Sequence, residues 1–294
     1  MSINSFPGRA SQESQESIER IKTALITGLE RAFIVHETLG QGGEETVEKN
    51  QFGDTALKAD IECERAIIDY FREIGLPIRI ISEEHGVTNL GEHPEYLGIL
   101  DGLDGSSVYK RERGVGRYGT MFAVLKGIDP TYADYVSCGI MEHTTHRLFI
   151  ASKGGGAFVK SGNNLTPIRA SGRTTFDSGV RIYVDEGFES NKERYSKRLQ
   201  GFPYQYLGSS AVYYADVASG AADLALECTR KGNLEIAVAY GLETEAGAVM
   251  VNLDDNDIGG RKYLEYGQKQ MLPIITAATP ELARAALAHI RSEE

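Results

Sequence analysis

The stretch GILDGLDGSSVY, residues 98–109, is the strongest local indication of fold and chemistry in the sequence. The apolar run Tyr96–Leu100 indicates a buried strand that ends in Asp101, and Asp104 follows three residues later. Two carboxylates this close repel each other unless a cation lies between them, and hard cations such as Mg²⁺ prefer oxygen ligands. Gly105 lacks the Cβ that would block a ligand, so the backbone amides around it could cradle an anion.

The same stretch is equally typical of a turn whose aspartates accept backbone N–H groups, so other acids must decide between the two interpretations. Glu83 and Glu84 follow another apolar run in IISEEHG, residues 80–86. Asp60 opens a helical stretch, and Glu235 opens an alanine-rich helix. Each of these carboxylates, taken singly, is typical of a solvated loop or a helix N-terminus. Their order along the chain favours a shared site.

Apolar spacing around this stretch predicts helices first and a sheet afterwards. We expect a loose arm of about 13 residues, a helix ending near Leu39, a loop or short hairpin at 41–56, and a second helix at Ala59–Arg72. Short apolar runs predict strands at Arg79–Ser82, Tyr96–Leu100, Thr120–Leu125, Val136–Met141, Leu148–Ala151 and Ala157–Val159. Strand and helix then alternate: Val180–Val184, Asn191–Gln200, Tyr204–Leu207, a helix from Ser210, Leu224–Glu227, Glu235–Ala246, and a last helix opened by Thr279 and Pro280.

These elements predict a layered α/β protein, with an α+β N-terminal half and an α/β C-terminal half. A polar stretch near residues 161–175 marks a soft boundary. We therefore expect an N-terminal domain at 1–165 with the metal-binding motifs and a C-terminal domain at 166–294 that completes the site.

Composition excludes several classes of partner. With 31 basic and 42 acidic residues the net charge is −11, which argues against general nucleic-acid binding and against docking on anionic membranes. Cys63, Cys138 and Cys228 lie far apart without a C-x-x-C motif, which favours a reducing compartment. No apolar run approaches the ~18 residues of a membrane span, and no signal core is present, so we expect a soluble cytoplasmic protein.

In this order the acids resemble those of the inositol monophosphatase and fructose-1,6-bisphosphatase superfamily of magnesium-dependent, lithium-sensitive phosphatases. The monophosphatase pattern reads D…EE…DP(I/L)DG(S/T)…WDxxA(A/G)…EAG. Here the matching positions are Asp60, Glu83-Glu84, residues 101–106, Leu234-Glu235 and residues 245–247. Residues 153–158 (KGGGAF) and 208–212 (GSSAV) resemble the family's KGxGAF hairpin and GSAA helix start. The resemblance implies the αβαβα sandwich of that superfamily.

The resemblance also implies which residues act. The ligands for two or three Mg²⁺ would be Glu83, Asp101, the Leu103 carbonyl, Asp104 and Glu235, with Glu84 behind them. Water would attack in line without a phosphoenzyme. The residues implied are Asp60, Ser106 and Glu83 for the water, the amides of Gly105, Ser106 and Ser107 for the phosphate, and Ser210 and Glu227 for the substrate's hydroxyl groups.

One position, Asp185, departs from the pattern of the fructose-bisphosphatase branch, and three places depart from the monophosphatase pattern. Gly102 replaces its proline, which loosens the turn but removes no ligand. Glu235 replaces its aspartate, as in the fructose-bisphosphatase branch. Asp185 stands where that branch has an amide beside the second phosphate, and a carboxylate there would repel phosphate. The loop Lys110–Arg117 is longer and more basic, so it either steers an anionic substrate or is a solvated surface loop.

We therefore expect a Mg²⁺-dependent phosphomonoesterase acting on a small polyol or sugar phosphate, with inositol monophosphate as the first candidate. Fructose-1,6-bisphosphatase and 3′-phosphoadenosine-5′-phosphate phosphatase are the alternatives within the superfamily. A phosphate-binding relative with weak activity is the alternative from another class. By resemblance, the protein would form a homodimer or a tetramer.

Other chemistry-bearing motifs carry less weight. His143 and His146 have H-x-x-H spacing, but no cysteine or third histidine accompanies them, so a surface hairpin is favoured over a zinc site. The sequence contains no G-x-S-x-G of serine hydrolases and no Walker-A lysine motif.

Overall fold

The computed structural model describes residues 8–49, 55–230 and 232–292. Its helices are α1 (Gly8–Leu39), α2 (Lys58–Glu73), α3 (Ser106–Glu112), α4 (Glu189–Tyr195), α5 (Ser210–Ala218), α6 (Leu234–Ala246) and α7 (Pro280–Ser292). Its strands are β1 (Thr46–Lys49), β2 (Thr55–Leu57), β3 (Ile78–Ser82), β4 (Gly86–Leu90), β5 (Tyr96–Asp104), β6 (Gly119–Lys126), β7 (Tyr135–Glu142), β8 (Arg147–Ser152), β9 (Gly156–Ser161), β10 (Asn164–Ile168), β11 (Ile182–Val184), β12 (Tyr204–Gln205), β13 (Leu224–Cys228), β14 (Val249–Asn252) and β15 (Pro273–Ala277).

Two mixed sheets dominate the fold. The larger sheet has the order β10-β9-β8-β7-β6-β5-β3-β4, and its neighbours run antiparallel except β3 and β5, which are parallel. The smaller sheet has the order β12-β11-β13-β15-β14, in which three parallel strands continue into two antiparallel pairings. The strands β1 and β2 form a separate two-stranded ribbon.

Helices and sheets alternate in a stack. Helices α1 and α2 pack on one face of the larger sheet, α5 and α6 lie between its other face and the smaller sheet, and α4 and α7 pack on the smaller sheet. Along β5, Leu97 and Ile99 join the core around α6, whereas Leu100 joins the core under α1 and α2. Because both faces are covered, this strand is buried throughout, and its first part, residues 96–100, is a continuous apolar run.

The predicted layered α/β class is confirmed, but some element assignments were wrong. Helix α1 begins at Gly8, so the expected loose arm is helical from there; glutamine and glutamate favour helix even without an apolar face. Residues 1–7 of that arm lie outside the described residues. The unpredicted strands β4 and β10 are short edge strands that mix polar and apolar residues and form no buried apolar run. The division into domains at 165/166 stays a prediction.

A buried ionic network joins the larger sheet to the layers beyond it. Arg117 donates from both terminal nitrogens to Asp216 of α5, each at 2.8 Å, and from Nε to Glu142 of β7. Tyr183 of the smaller sheet donates to the same Asp216 at 2.8 Å. Arg117 is therefore a structural cation, and the part of the loop Lys110–Arg117 that it occupies does not steer substrate.

In the described part of the chain, no helix combines the length and the apolar character that crossing a membrane would require. The longest helix, α1, carries charged and polar residues along its whole length. Its buried side chains, Ile21, Leu25 and Leu29 among them, pack on the larger sheet instead.

Candidate active site

Four acidic side chains converge at the carboxyl ends of two neighbouring strands. Glu83 follows β3, and Asp101 lies near the end of the parallel strand β5, so the two acids come side by side. Asp104 ends β5, and Glu235 enters from the first turn of α6. All four line one cavity of about 810 Å³. The structure thus brings together four of the predicted metal ligands, and Leu103, whose carbonyl is the fifth, lines the same cavity.

Three of these acids form a ready-made cation site. Asp101, Asp104 and Glu235 each place a carboxylate oxygen within 4.8 Å of the others, and all three side chains are buried. Within the residues that the structure describes, no other group of three potential ligand side chains lies this close together. Buried carboxylate oxygens at this spacing suit a hard cation such as Mg²⁺.

A β-bulge brings Asp101 and Asp104 to the same side of β5. Asp101 pairs with Met121 of β6 and Asp104 pairs with Gly119, so two residues of β5 oppose the single residue Thr120. In a regular strand, residues three apart point to opposite faces of the sheet. The extra residue cancels this alternation, and both carboxylates therefore face the cavity.

Gly102 lies in the bulge because no side chain fits there. A Cβ at this position would lie 2.3 Å from the carbonyl oxygen of Asp60 and 2.8 Å from Cγ of Glu64, both in α2. Helix α2 therefore packs directly against the bulge, and a proline would not fit without moving the helix. The turn is held from the side, because Thr120 Oγ1 donates to the Gly102 carbonyl at 2.7 Å.

Crowding of buried carboxyl groups shifts their pKa values upward. Burial, followed by repulsion from Glu235, raises the pKa of Glu83 to about 9. Burial and the neighbouring Glu83 raise the pKa of Asp101 well above its usual range. Burial and then Glu235 raise the pKa of Asp104 to about 6. The fully ionised cluster is unstable by itself, which supports a divalent cation as its partner.

Without metal, the protein is expected to lose stability as the pH rises from about 4.5 to about 9. In this range the folded Glu83 keeps a proton that the unfolded chain releases, so the free energy of unfolding falls as the pH increases. We expect the unfolding temperature in EDTA to drop by on the order of 10 °C from pH 5 to pH 9, and Mg²⁺ to restore it most at high pH. Circular dichroism melts measure both effects. A metal-free unfolding temperature that stays level or rises over this range would contradict the charge cluster.

Asp60 and Ser106, predicted to act on the water, lie on two different elements beside the cluster. Asp60 is in the first turn of α2, where its Oδ2 accepts the N–H of Leu57 at 2.7 Å, so it also caps the helix. Its charge is one of those that raise the pKa of Asp101. Ser106 opens α3 and lines the cavity. No hydrogen bond between the two side chains is present in the described structure, and their joint role stays a prediction.

Gly105 turns the chain from the bulge into α3. Its φ is +87°, and a Cβ there would lie 2.8 Å from Cβ of Ser209, so both the backbone angle and the space require glycine. The first amides of a helix have no intrahelical acceptor, which leaves those of Ser106 and Ser107 for an anion. Gly105 and Ser106 line the main cavity, and both serines also line a smaller pocket beside it. This placement suits the predicted phosphate contacts.

Arg230 is a functional residue that the sequence analysis missed. Its Nη1 lies 3.0 Å from Oε1 of Glu235, and its Nη2 lies 3.1 Å from Oδ2 of Asp185 and 3.7 Å from Oε1 of Glu227. The guanidinium also donates to Ser210 Oγ at 2.8 Å. Asp185 is therefore paired with a cation, and its expected repulsion of phosphate is reduced. The available signal was an arginine in the short turn between Glu227 and Glu235.

The two predicted substrate contacts lie beside each other on this arginine. Ser210 opens α5 and donates to Oε1 of Glu227 in β13 at 2.6 Å. Both side chains are buried, and burial raises the pKa of Glu227 to about 8. Ser210 lines the smaller pocket that adjoins the acidic cavity. The positions of Ser210 and Glu227 suit side chains that bind the part of a substrate next to its phosphate.

Glu84 belongs to the support of the site. Its backbone N–H donates to Glu64 Oε1 at 3.1 Å, and the N–H of His85 donates to the other carboxylate oxygen at 3.0 Å. Glu64, which no motif indicated, is fully buried in α2 and holds the turn that presents Glu83. An acid in the middle of a predicted helix, four residues after Asp60 and so on the same helix face, was the only signal in the sequence.

One wall of the cavity is the segment Tyr263–Leu272. Backbone and side chain of Thr229 make three hydrogen bonds of 2.8–2.9 Å with Gln270 and Leu272. The carbonyl of Gly232 accepts from the hydroxyl of Tyr263 at 2.6 Å and from the side chain of Gln268 at 3.4 Å. Five bonds thus fasten this wall to the turn that precedes Glu235.

The predicted hairpin is present, because residues 143–146 join the antiparallel strands β7 and β8, but His143 does not lie on its surface. The side chain is 1 % exposed, and its ring stacks on His36 of α1 with 4.1 Å between centroids. His36 is a third histidine that the sequence did not place beside the H-x-x-H pair. Even so, the imidazoles do not bring three ligand atoms within 4.8 Å of one another, so a zinc site finds no support in the described residues.

Comparison with known proteins identifies the family. A sequence model described as the inositol monophosphatase family matches residues 14–293, nearly the whole chain. The chain belongs to this family. The predicted superfamily is thereby confirmed, and the protein is a metal-dependent phosphomonoesterase of the inositol monophosphatase family.

Individual relatives differ in what they act on. A protein from Methanothermobacter thermautotrophicus, named fructose-1,6-bisphosphatase/inositol-1-monophosphatase, is 28 % identical over 228 residues, which cover 74 % of this chain and 78 % of that protein. A bifunctional NADP phosphatase/NAD kinase from Methanocaldococcus jannaschii is 26 % identical over 250 residues, covering 75 % of this chain and 42 % of that longer protein. The extragenic suppressor protein suhB from Bartonella henselae shares the fold, with a TM-score of 0.76 at 17 % identity over 94 % of this chain and 100 % of that one.

Proposed function

We propose that the protein hydrolyses the monophosphate ester of a small polyol or sugar, using two or three Mg²⁺, with inositol monophosphate as the leading substrate. The observation that carries this proposal is the buried trio Asp101, Asp104 and Glu235 beside the helix start at Ser106. Such a site holds cations next to free backbone amides, which is what a phosphate ester requires.

Each residue near the phosphate has a defined role in this proposal, and Glu83, Asp101 and Ser106 each have two. The metal ligands are Glu83, Asp101 and the Leu103 carbonyl for one ion, and Asp101, Asp104 and Glu235 for the second, with Glu83 reaching a weaker third and Glu84 behind them. When bound, the ions would neutralise the phosphate and lower the pKa of a water beside them. Asp60 and Ser106 orient that water and take its proton, and the amides of Gly105, Ser106 and Ser107 hold the phosphate in line for direct attack.

The pocket beside Arg230 supports a hydroxyl-rich leaving group. One guanidinium faces three carboxyl groups, those of Asp185, Glu227 and Glu235, so it has no unpaired positive charge for a second phosphate. Carboxylates accept hydrogen bonds from hydroxyl groups and repel a second phosphate. We therefore propose that Ser210 and Glu227, whose side chains form a hydrogen bond of 2.6 Å, bind the hydroxyl groups of the substrate.

Lys269 favours a second candidate. It lies on the fastened wall of the cavity, across from the acidic cluster, and among the described residues it has no ion-pair partner. A free cation at that place suits a leaving group with its own anionic group, such as fructose 1,6-bisphosphate. The name of the M. thermautotrophicus relative covers both activities. A 3′-phosphoadenosine 5′-phosphate substrate would use the same cation.

The remaining parts of the proposal concern the setting of the enzyme. We propose a homodimer or tetramer and inhibition by Li⁺, both on the ground of resemblance. A cytoplasmic location agrees with the three unpaired, buried cysteines. The acidic net charge of −11 agrees with a small phosphorylated substrate in place of nucleic acid or membrane.

Phosphate release from a panel of esters tests the proposal. The panel is myo-inositol 1-phosphate, fructose 1,6-bisphosphate and 3′-phosphoadenosine 5′-phosphate in millimolar Mg²⁺, each with and without EDTA and Li⁺. We expect the inositol ester to be hydrolysed fastest, EDTA to abolish release, and Li⁺ to inhibit. Replacing Lys269 with alanine should leave the inositol ester unaffected and raise the KM for the bisphosphate.

The outcomes separate the candidates. Fastest release from fructose 1,6-bisphosphate, with a Lys269→Ala defect confined to it, would replace the leading substrate by the second candidate. Release that EDTA does not affect would overturn the role of the acidic trio. Lys262→Ala is the matched control, because this lysine pairs with Asp129 on the surface, away from the cavity.

A further inference from the structure

We propose that Thr120 and His143 are positioning residues that hold the bulge of β5 in the shape required for metal binding. The proposal rests on the proposed metal roles of Asp101 and Leu103. It adds two residues that lie behind the site and touch neither metal nor substrate. Two successive hydrogen bonds lead to the carbonyl of Gly102, the residue between Asp101 and Leu103.

The direction of both bonds follows from chemistry. The Gly102 carbonyl can only accept, so the hydroxyl proton of Thr120 goes to it, at 2.7 Å. Nε2 of His143 lies 2.9 Å from the same Thr120 Oγ1. Because the hydroxyl proton is already used, Nε2 must carry a proton and donate it to the hydroxyl oxygen. The chain therefore runs from His143 through Thr120 to Gly102.

The bulge makes this chain necessary. Gly102 and Leu103 both oppose Thr120, and one residue's backbone cannot pair with two. The hydroxyl group of Thr120 donates a hydrogen bond to the buried Gly102 carbonyl. Without it, this carbonyl would lack that partner. Fixing the Gly102 carbonyl toward β6 fixes its peptide plane, and the N–H of the same peptide, that of Leu103, donates to Oδ1 of Asp101 at 3.0 Å.

Burial makes the chain rigid. Thr120 is fully buried and His143 is 1 % exposed. The imidazole of His143 stacks on two neighbouring rings. The centroid of the His36 ring lies 4.1 Å away at an interplanar angle of 27°, and that of the Tyr118 ring lies 5.9 Å away at 28°. Nδ1 of His143 has no partner in the described structure. The hydrogen bond between Nε2 and Thr120 is therefore the one that sets the orientation of the ring.

The test measures direct binding of Mn²⁺ to the protein in the absence of substrate. The electron paramagnetic resonance signal of free Mn²⁺ reports how much of the metal is bound. Thr120→Val removes the hydroxyl at nearly constant shape, and His143→Phe keeps a ring but removes the donor. We expect each to weaken Mn²⁺ binding by roughly tenfold to thirtyfold, as loss of groups that orient metal ligands does. Thr120→Ser, which keeps the hydroxyl, should restore wild-type affinity. At saturating metal, the KM for the ester should change less than twofold.

His36→Phe is the matched control, because it alters the same stacked cluster without touching Thr120. The proposal is overturned if Thr120→Val binds Mn²⁺ like the wild type, if Thr120→Ser is as weak as Thr120→Val, or if His36→Phe shows the same loss. Should Thr120→Val fail to fold, His143→Phe and Thr120→Ser decide. A wild-type protein that binds Mn²⁺ but hydrolyses no ester of the panel would sink the proposed function and leave this inference standing.

Discussion

Asp101→Asn is expected to lower phosphate release by at least roughly a thousandfold while the fold stays intact. The side chain is shared by both proposed metal positions, and asparagine keeps its shape while it loses the charge. Because burial already raises the pKa of Asp101 well above its usual range, the neutral amide costs the metal-free protein nothing. Phosphate release and circular dichroism melts, with and without Mg²⁺, measure the two effects.

The melts make this prediction specific. In EDTA, the variant should unfold at the wild-type temperature or above it, and the rise that Mg²⁺ causes should be lost. Asp254→Asn, at an exposed position outside the cavity, serves as the control and should behave as wild type. Near-normal turnover in Asp101→Asn would remove the residue from the metal site.

Ser106→Ala is expected to reduce turnover by roughly a hundredfold, as the loss of a group that positions a proton acceptor does. The hydroxyl lies at the first residue of α3, on the wall shared with Asp101 and Asp104. The backbone amide at 106 survives the substitution, so binding of the phosphate should change little. Steady-state kinetics should therefore show a fall in kcat with KM nearly constant.

Ser107→Ala is the matched control for this prediction. The amide of this neighbouring residue is proposed to bind phosphate, but its hydroxyl has no proposed role, so the variant should keep most of its turnover. A loss of tenfold or less in Ser106→Ala would point to another group as the partner of the attacking water. An equal loss in both variants would indicate damage to the start of α3.

The central strands and long helices could be predicted because their residues carry a strong period. Strand β5 is buried on both faces, so Tyr96–Leu100 stands out as an uninterrupted apolar run. The pair Asp101 and Asp104 could be grouped as ligands because they are only three positions apart. Their relation to Glu235, 131 positions further on, came from the order of motifs in the superfamily and not from any local pattern.

The supporting residues could not be predicted, because their roles depend on register. Nothing in the sequence shows that two residues of β5 oppose the single Thr120, and without that bulge Asp101 and Asp104 would point to opposite faces. Arg230 and Glu64 gain their importance from partners that only the fold brings near. Edge strands such as β10 were missed because they are short, largely exposed and mix polar with apolar residues.

The fastened wall Tyr263–Leu272 has a kinetic consequence. Opening it would break five hydrogen bonds together, and at about 1 kcal/mol each the open form would be populated in roughly one molecule in several thousand. Ester and phosphate must therefore enter and leave past other lining residues of the cavity, such as Ser106 of α3 and the half-buried Phe188. Gating by this wall does not set the turnover rate, so any slow conformational step belongs to other segments.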